Sequence, residues 1–354
     1  MLAPGDPAPT FVAPSVSNPR YVFDTAAGRY LLLGFMPAGD VAAVDALVAD
    51  HRALFDDERL AVFGVVRDAP TFSDRCDSLP GVRWLLDRDE AVSRPYDMTE
   101  GRTGWVLIDP SLRVLAILPL AQSAELGALL HGLPPVAVHA GVELHAPVLI
   151  APRIFEPDFC RALIGAYDAH GGEVSGFMRE IDGQTVEVRD PNHKIRRDLM
   201  LPPGALRDGA RARIQRRLIP LIAKAFQFQV TRMERDLVAC YDAAEQGFFR
   251  AHRDNTTKGT AHRRFAVTIN LDAEAYDGGD LRFAEFGPRT YRAPTGGAVV
   301  FSCSLLHEAL PVRRGRRYAF LPFLYDEAAA QLREENARFV GQDGYHYRAH
   351  APAE

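Results

Sequence analysis

From Leu237 to Leu324 the chain is written in short apolar runs punctuated by Gly, Pro and Asp. Such spacing leaves room for strands and tight turns but not for helices. The runs are Leu237–Tyr241, Phe249–Asp254, Phe265–Leu271, Asp280–Phe283, Arg289–Ala293, Gly297–Ser302 and Tyr318–Leu324. Two helical segments precede them: Pro157–Ala169, and Leu206–Lys224 with apolar residues at Ile214, Leu218, Leu221 and Ile222. Many short strands with helices ahead of them predict a double-stranded β-helix, or jelly roll, braced by flanking helices. A barrel of that kind holds its site in its mouth.

Two positions in these runs bear metal-ligating side chains. In a strand, residues two apart face the same way, so His252 and Asp254 can meet one ion while Arg253 points elsewhere. A second histidine, His307, follows 55 residues later at the end of Phe301-Ser-Cys-Ser-Leu-Leu, a run apolar enough to be another strand of the same sheet. Two imidazoles and a carboxylate on one face form the facial set that holds non-haem Fe(II) and leaves coordination positions open. The alternatives for these residues are an exposed strand pair and a core histidine. Beyond the turn Pro311-Val-Arg-Arg-Gly315-Arg comes Arg317, which opens the apolar run Tyr318-Ala-Phe-Leu. A guanidinium there can fork onto a carboxylate. Arg313, Arg314 and Arg316 compete with it, but only Arg317 enters the apolar strand.

Four blocks occur in order: Leu237-Val-Ala-Cys-Tyr241, Gly247-Phe-Phe-Arg-Ala-His252-Arg-Asp254-Asn255, Tyr276-Asp-Gly-Gly279-Asp-Leu-Arg-Phe283, and His307-Glu-Ala-Leu-Pro-Val through Gly315 to Arg317-Tyr. Together they resemble the Fe(II)/2-oxoglutarate-dependent dioxygenases of the prolyl 4-hydroxylase-like branch, over roughly residues 146–330. The resemblance implies that His252, Asp254 and His307 are the catalytic metal ligands and that Arg317, Tyr241 and Asn270 bind the cosubstrate. It implies Fe(II), 2-oxoglutarate and O2, with ascorbate as a further candidate, and release of succinate and CO2. The expected reaction is hydroxylation of a peptidyl or free amino acid or a similar small molecule. The polar, Gly-rich segment 171–197 falls where this family places a mobile cover over the substrate; a lid and an ordinary long loop both remain open. His193 is not expected to be a ligand, and Lys258, His262 and Arg264 read as surface residues.

At 354 residues the chain is long for one domain. Its net charge of −5 gives no electrostatic reason to expect nucleic-acid binding. Cys76, Cys160, Cys240 and Cys303 are too widely spaced for a disulfide framework or a structural zinc site, which suits a reducing cytoplasm. The first residues lack the basic and apolar regions of a signal peptide, and no apolar run reaches the length of a membrane helix.

The expected division is a first domain over 1–135, a Pro-containing linker over 136–147, and the dioxygenase-like domain over 148–354. In the first domain, apolar runs at Tyr30–Phe35, Leu60–Val66, Trp84–Leu86, Gly104–Asp109 and Val114–Leu118 alternate with helical stretches at Val41–Leu60, Asp68–Ser78 and Ser123–Leu133. That order predicts an α/β sheet. With Gly5-Asp-Pro-Ala-Pro9, Gly-Phe-Met-Pro37 and Trp105-Val-Leu-Ile-Asp109-Pro, it resembles the peroxiredoxin branch of the thioredoxin fold. In that branch the reactive cysteine stands seven residues after the proline and a threonine or serine four after it; here Val44 and Val41 occupy those positions. Valine forms no thiolate. Cys76 is expected to be an inert thiol in a different helix. The domain thus reads as a peroxidase-inactive scaffold for homodimerisation or a protein partner. Two other functions stay open for the whole chain: a cupin-like metal enzyme that does not use 2-oxoglutarate, and a non-enzymatic ligand sensor.

Overall fold

A computed structural model describes residues 2–37, 40–99, 101–341 and 347–349. The chain divides into two compact units, one of residues 1–146 with 283–289, the other of 147–282 with 290–354. Among the described residues no helix is long and apolar enough to cross a membrane.

The first unit is a five-stranded mixed sheet. Its strands are β1 (Tyr30–Phe35), β2 (Leu60–Val66), β3 (Val82–Leu86), β4 (Gly104–Ile108) and β5 (Val114–Pro119), in the order β3-β2-β1-β4-β5. β1, β2 and β3 run parallel, and β4 and β5 form an antiparallel hairpin against β1. β1 and β2 are buried at every position, as strands covered on both faces must be. Helices α1 (Ala42–His51) and α3 (Ser123–His131) add Val44, Leu47, Leu126 and Leu130 to a core with Leu32, Val62 and Leu107. Val44 is thus a packing residue. Helix α2 (Ala69–Ser73) is shorter than its sequence suggests: Asp68 caps it by accepting from the Thr71 amide, and it ends before Cys76. Cys76 therefore lies outside any helix and is exposed.

The second unit begins with β6 (Leu149–Ala151) and α4 (Pro157–His170), followed by β7 (Glu173–Val174). The expected lid-or-loop region contains a hairpin, β8 (Phe177–Ile181) with β9 (Gln184–Val188), and then β10 (Lys194–Ile195) and β11 (Arg197–Met200). The long helical segment is α5 (Ala205–Arg213), a π-turn at Ile214–Leu218, and α6 (Ile219–Phe226). Pro220 sits at the start of α6, where its missing N–H breaks the regular ladder.

Two sheets then form the jelly roll. The larger is built around β13 (Leu237–Asp242), β15 (Phe265–Asn270), β19 (Ala298–Ser302), β22 (Arg316–Phe320) and β23 (Phe323–Tyr325), with β12 (Arg232–Glu234) at one edge. The smaller runs β10-β14-β20-β17-β18, where β14 is Phe248–His252, β17 Leu281–Arg282, β18 Thr290–Tyr291 and β20 His307–Ala309. A short pair, β16 (Asp277–Gly278) and β21 (Val312–Arg314), lies beside them. The single run expected from Tyr318 to Leu324 is split into β22 and β23, because Pro322 has no amide to donate.

Alternation assigns the two faces of the larger sheet. Val238, Cys240, Val267, Ile269, Tyr318 and Phe320 pack with Leu163 and Tyr167 of α4 and with Ile214, Leu218 and Ile222. The intervening residues must face the other sheet. Tyr241 pairs directly with Arg317, and Asn270 with Ala319, so all four share that interior face. Ile269 is wholly buried in the helix-side core. Ile269→Ala should therefore cost about 2–5 kcal/mol of stability in denaturant unfolding of the second unit.

Candidate active site

The register of β14 and β20 sets His252 directly opposite His307. Their ring centroids are 4.3 Å apart. An irregularity between Phe249 and His252 bends β14 just before its end, as bulges beside functional sites often do. Asp254 is not on the strand with His252, as the spacing suggested; β14 ends at His252 and Asp254 lies in the turn after it. Its amide donates to the Cys303 carbonyl at 3.0 Å, which ties that turn to the one following β19. Likewise Phe301 to His307 is not one strand: β19 ends at Ser302 in the larger sheet, and His307 starts β20 in the smaller. The chain crosses between sheets there and delivers His307 beside His252.

His252, Asp254 and His307 each offer a ligand atom within 4.8 Å of the others. The Asp254 carboxylate lies 3.5 Å from His252 Nε2 and 3.3 Å from His307 Nε2. Nδ1 of His252 is 2.7 Å from the Arg250 carbonyl, and Nδ1 of His307 is 3.0 Å from the Leu305 carbonyl. A carbonyl can only accept, so both Nδ1 atoms donate to the backbone and both Nε2 atoms are left facing the Asp254 carboxylate. Aromatic rings fix both imidazoles: Phe249 stacks on His252 with centroids 3.6 Å apart, and Phe301 meets His307 edge-on at 4.5 Å. Burial and the neighbouring His252 hold the His307 imidazole down to about 4, so it is neutral at physiological pH. Burial alone would raise the Asp254 carboxyl, but His307 and His252 bring it below its ordinary range. Two imidazole nitrogens and a carboxylate are the donor set that suits a divalent first-row metal.

Arg317 is only 2% exposed, whereas Arg313, Arg314 and Arg316 face solvent. Arg313 reaches Asp277 and Arg316 reaches Asp242. Nε and Nη1 of Arg317 have no hydrogen-bond partner among the described residues. Its guanidinium carbon stands 5.0 Å from the centroid of Tyr241. A buried guanidinium without an acceptor is costly, and an anion beside it would offset that cost. Gly315 makes the turn into β22 with φ of 75°; an added Cβ would lie 2.6 Å from the Ala275 carbonyl oxygen.

Tyr241 is buried and accepts a hydrogen bond from Arg196 Nη1 at 3.3 Å. Arg196 is itself locked onto the Asp198 carboxylate by two bonds of 2.7 and 2.6 Å. Tyr241, Phe249, Tyr276, Ala309 and Val312 form one cluster, which connects the Arg317 side of the interior to His252 through Phe249. Asn270 is buried and its amide donates to the Ala293 carbonyl at 2.7 Å. His193 rests on Phe177 and Phe249, at 4.5 and 5.5 Å between centroids, and is 6.5 Å from His252.

Four residues here escaped the sequence reading. Arg196 falls in the segment 171–197, read as polar and Gly-rich, and Asp198 lies just beyond it. The buried Tyr276 hydroxyl has no partner among the described residues. His262, expected at the surface, is 2% exposed, with Nε2 3.1 Å from the Glu234 carboxylate that Arg263 and Arg333 also engage. Arg263 then donates to the Asp254 carbonyl at 3.4 Å, bracing the turn that carries the ligand. Lys258 does lie at the surface and Arg264 is half-buried.

Residues 237–325 match the family model of the 2OG-Fe(II) oxygenase superfamily, whose enzymes use Fe(II), 2-oxoglutarate and O2. A PKHD-type hydroxylase of Synechococcus sp. (strain JA-2-3B'a(2-13)) is 27% identical over 135 residues, 35% of this chain and 58% of the relative. The chain thus spans well under two thirds of that protein's length. A PKHD-type hydroxylase of Pseudomonas putida (strain F1) is 29% identical over 188 residues, 49% of this chain and 75% of the relative. A crystal structure of a Pseudomonas putida prolyl-4-hydroxylase aligns with a TM-score of 0.40 at 22% identity, over 51% of this chain and 94% of that one.

Proposed function

We propose that the second unit is an Fe(II)- and 2-oxoglutarate-dependent hydroxylase of the prolyl 4-hydroxylase-like kind. The observation that carries this reading is the coincidence of two features on one jelly roll. Three metal-type donors converge at one point, and a buried guanidinium with free N–H groups faces the same interior. In this reading His252, Asp254 and His307 hold Fe(II), Arg317 holds the distal carboxylate of 2-oxoglutarate, and Tyr241 and Asn270 line the same pocket. The bound metal would supply O2 activation coupled to decarboxylation of the cosubstrate, yielding succinate and CO2. The chain's own part is orientation: Nδ1 bonds and ring stacking aim the ligands, and the Arg196–Asp198 pair positions the Tyr241 hydroxyl. A cupin-like enzyme that ignores 2-oxoglutarate has no use for Arg317, and its free N–H groups weigh against that alternative.

The substrate class favoured is a peptidyl or free amino acid, or a similar small molecule. The β8–β9 hairpin is proposed to cover it, because Phe177 packs toward Phe249 and His193 beside His252. The test is succinate formation by the full chain with Fe(II), O2 and 2-oxoglutarate in the presence of a panel of peptides and amino acids. Asp254→Ala is the blank. Substrate-stimulated succinate supports the reading; metal-dependent turnover of a substrate without succinate would move the cupin-like alternative ahead.

For the first unit we propose a thioredoxin-like, peroxiredoxin-type domain over 1–135, joined through 136–147 to the catalytic domain over 148–354. Supporting it is the strand order, three parallel strands flanked by an antiparallel hairpin with α1 and α3 in one core. Its role is to engage a second copy or a protein partner, and four free cysteines fit a cytoplasmic setting. Because Val44 is buried packing, the full chain should show no thiol-dependent peroxide reduction in a coupled assay. Peroxidase activity that vanishes in Cys76→Ser would make the first unit an enzyme and overturn this assignment.

A further inference from the structure

Arg317 has a buried neighbour in the same condition. Tyr276 lies in the loop between β15 and β16, 4% exposed, packed with Tyr241, Phe249, Ala309 and Val312. Its hydroxyl, like Nε and Nη1 of Arg317, has no hydrogen-bond partner among the described residues. Buried polar atoms are rarely left so without a role. Gly279 relates the two side chains. A Cβ placed there would lie 3.1 Å from Arg317 Cδ and 3.5 Å from Tyr276 Cε2. The first of these atoms bears Nε, and the second adjoins the carbon that bears the hydroxyl. Gly279, with φ of 69°, therefore lets the two groups approach a common point.

The position of Tyr276 does not depend on its hydroxyl. Arg292 stands 4.2 Å from the ring centroid and donates to the carbonyls of Ala273, Tyr276 and Gly278. It also bonds the Asp280 carboxylate at 2.5 Å. This clamp fixes the loop through backbone and ring, and leaves the phenol available.

We infer that Tyr276 is a second anchor for the distal carboxylate of the cosubstrate, donating its hydroxyl hydrogen bond to the anion that Arg317 engages. The inference rests on the 2-oxoglutarate reading above. A guanidinium can only donate, so Arg317 cannot satisfy the phenol's proton; an acceptor between them satisfies both. Asn270 is a poorer partner for that anion. Its amide nitrogen spends one N–H on the Ala293 carbonyl, and its unpartnered Oδ1 is another acceptor. Burial raises the Tyr276 pKa, which keeps the phenol protonated and donating at neutral pH.

The test is calorimetric binding to the Fe(II)-loaded full chain without O2, using two acids. 2-Oxoglutarate has the distal carboxylate; 2-oxobutyrate keeps the chelating end and lacks it. Tyr276→Phe preserves the ring and the fold, and should weaken 2-oxoglutarate by about ten- to hundredfold while leaving 2-oxobutyrate unchanged. Equal losses for both acids would mean a packing role and overturn the inference. No loss in Tyr276→Phe, with selective loss in Arg317→Ala, would also overturn it while leaving the 2-oxoglutarate reading intact. If the unsubstituted chain does not prefer 2-oxoglutarate over 2-oxobutyrate, that reading fails and the inference with it.

Discussion

Arg317→Ala is expected to weaken 2-oxoglutarate binding by roughly 30- to several-thousand-fold while the metal stays bound. The guanidinium is buried on the interior face, opposite Tyr241, and its Nε and Nη1 lack partners among the described residues. Truncating one side of a desolvated, charge-assisted pair typically costs about 2–5 kcal/mol, which sets that range. Arg317→Lys should recover only part, because a point ammonium lacks the planar fork. Arg314→Ala is the control, exposed at the end of β21 and expected to change KM little. The measurement is KM for 2-oxoglutarate beside metal content. If Arg314→Ala cripples cosubstrate use and Arg317→Ala does not, the anchor is misassigned. If neither matters, the pocket does not take a dicarboxylate.

The second large effect concerns the ligands. His252→Ala, Asp254→Ala and His307→Ala should each remove Fe(II) binding and turnover while leaving the fold in place. Loss of even an outer-shell partner to a metal ligand typically costs about 10–100-fold in affinity, and loss of one of three ligands should exceed that. His193 is 6.5 Å from His252 between ring centroids and packed between phenylalanines, so it is no ready substitute. Metal stoichiometry by elemental analysis, with circular dichroism as the fold control, decides the matter. A variant that binds iron normally and turns over normally would exclude its residue from the site.

What could be read from the sequence was what strand periodicity and local composition encode. Leu237–Tyr241 and Phe265–Leu271 were legible as strands from their apolar runs, and the apolar run after Arg317 distinguished it from three neighbouring arginines. Convergence of His252 with His307 required a cross-strand register, which no local pattern carries. The His-x-Asp spacing suggested one strand; the structure instead ends β14 at His252 and uses the following turn for Asp254, so a turn can deliver the same convergence. His262 read as surface because its loop is rich in charge, but Glu234 arrives from β12 to receive that charge. The Gly-rich stretch 171–197 lacks an apolar alternation, yet it pairs as β8 and β9 through backbone bonds that need none. Tyr276 was invisible as a site residue because its significance lies in the missing partner for its hydroxyl, a property of the folded interior.

The most direct test of the central claim is a titration of 2-oxoglutarate into the full chain without O2, with and without Fe(II). The account predicts one 2-oxoglutarate bound per chain, dependent on the metal, lost in Asp254→Ala and strongly weakened in Arg317→Ala. A folded, iron-loaded chain that does not bind 2-oxoglutarate, or binds it equally well without metal, would contradict it.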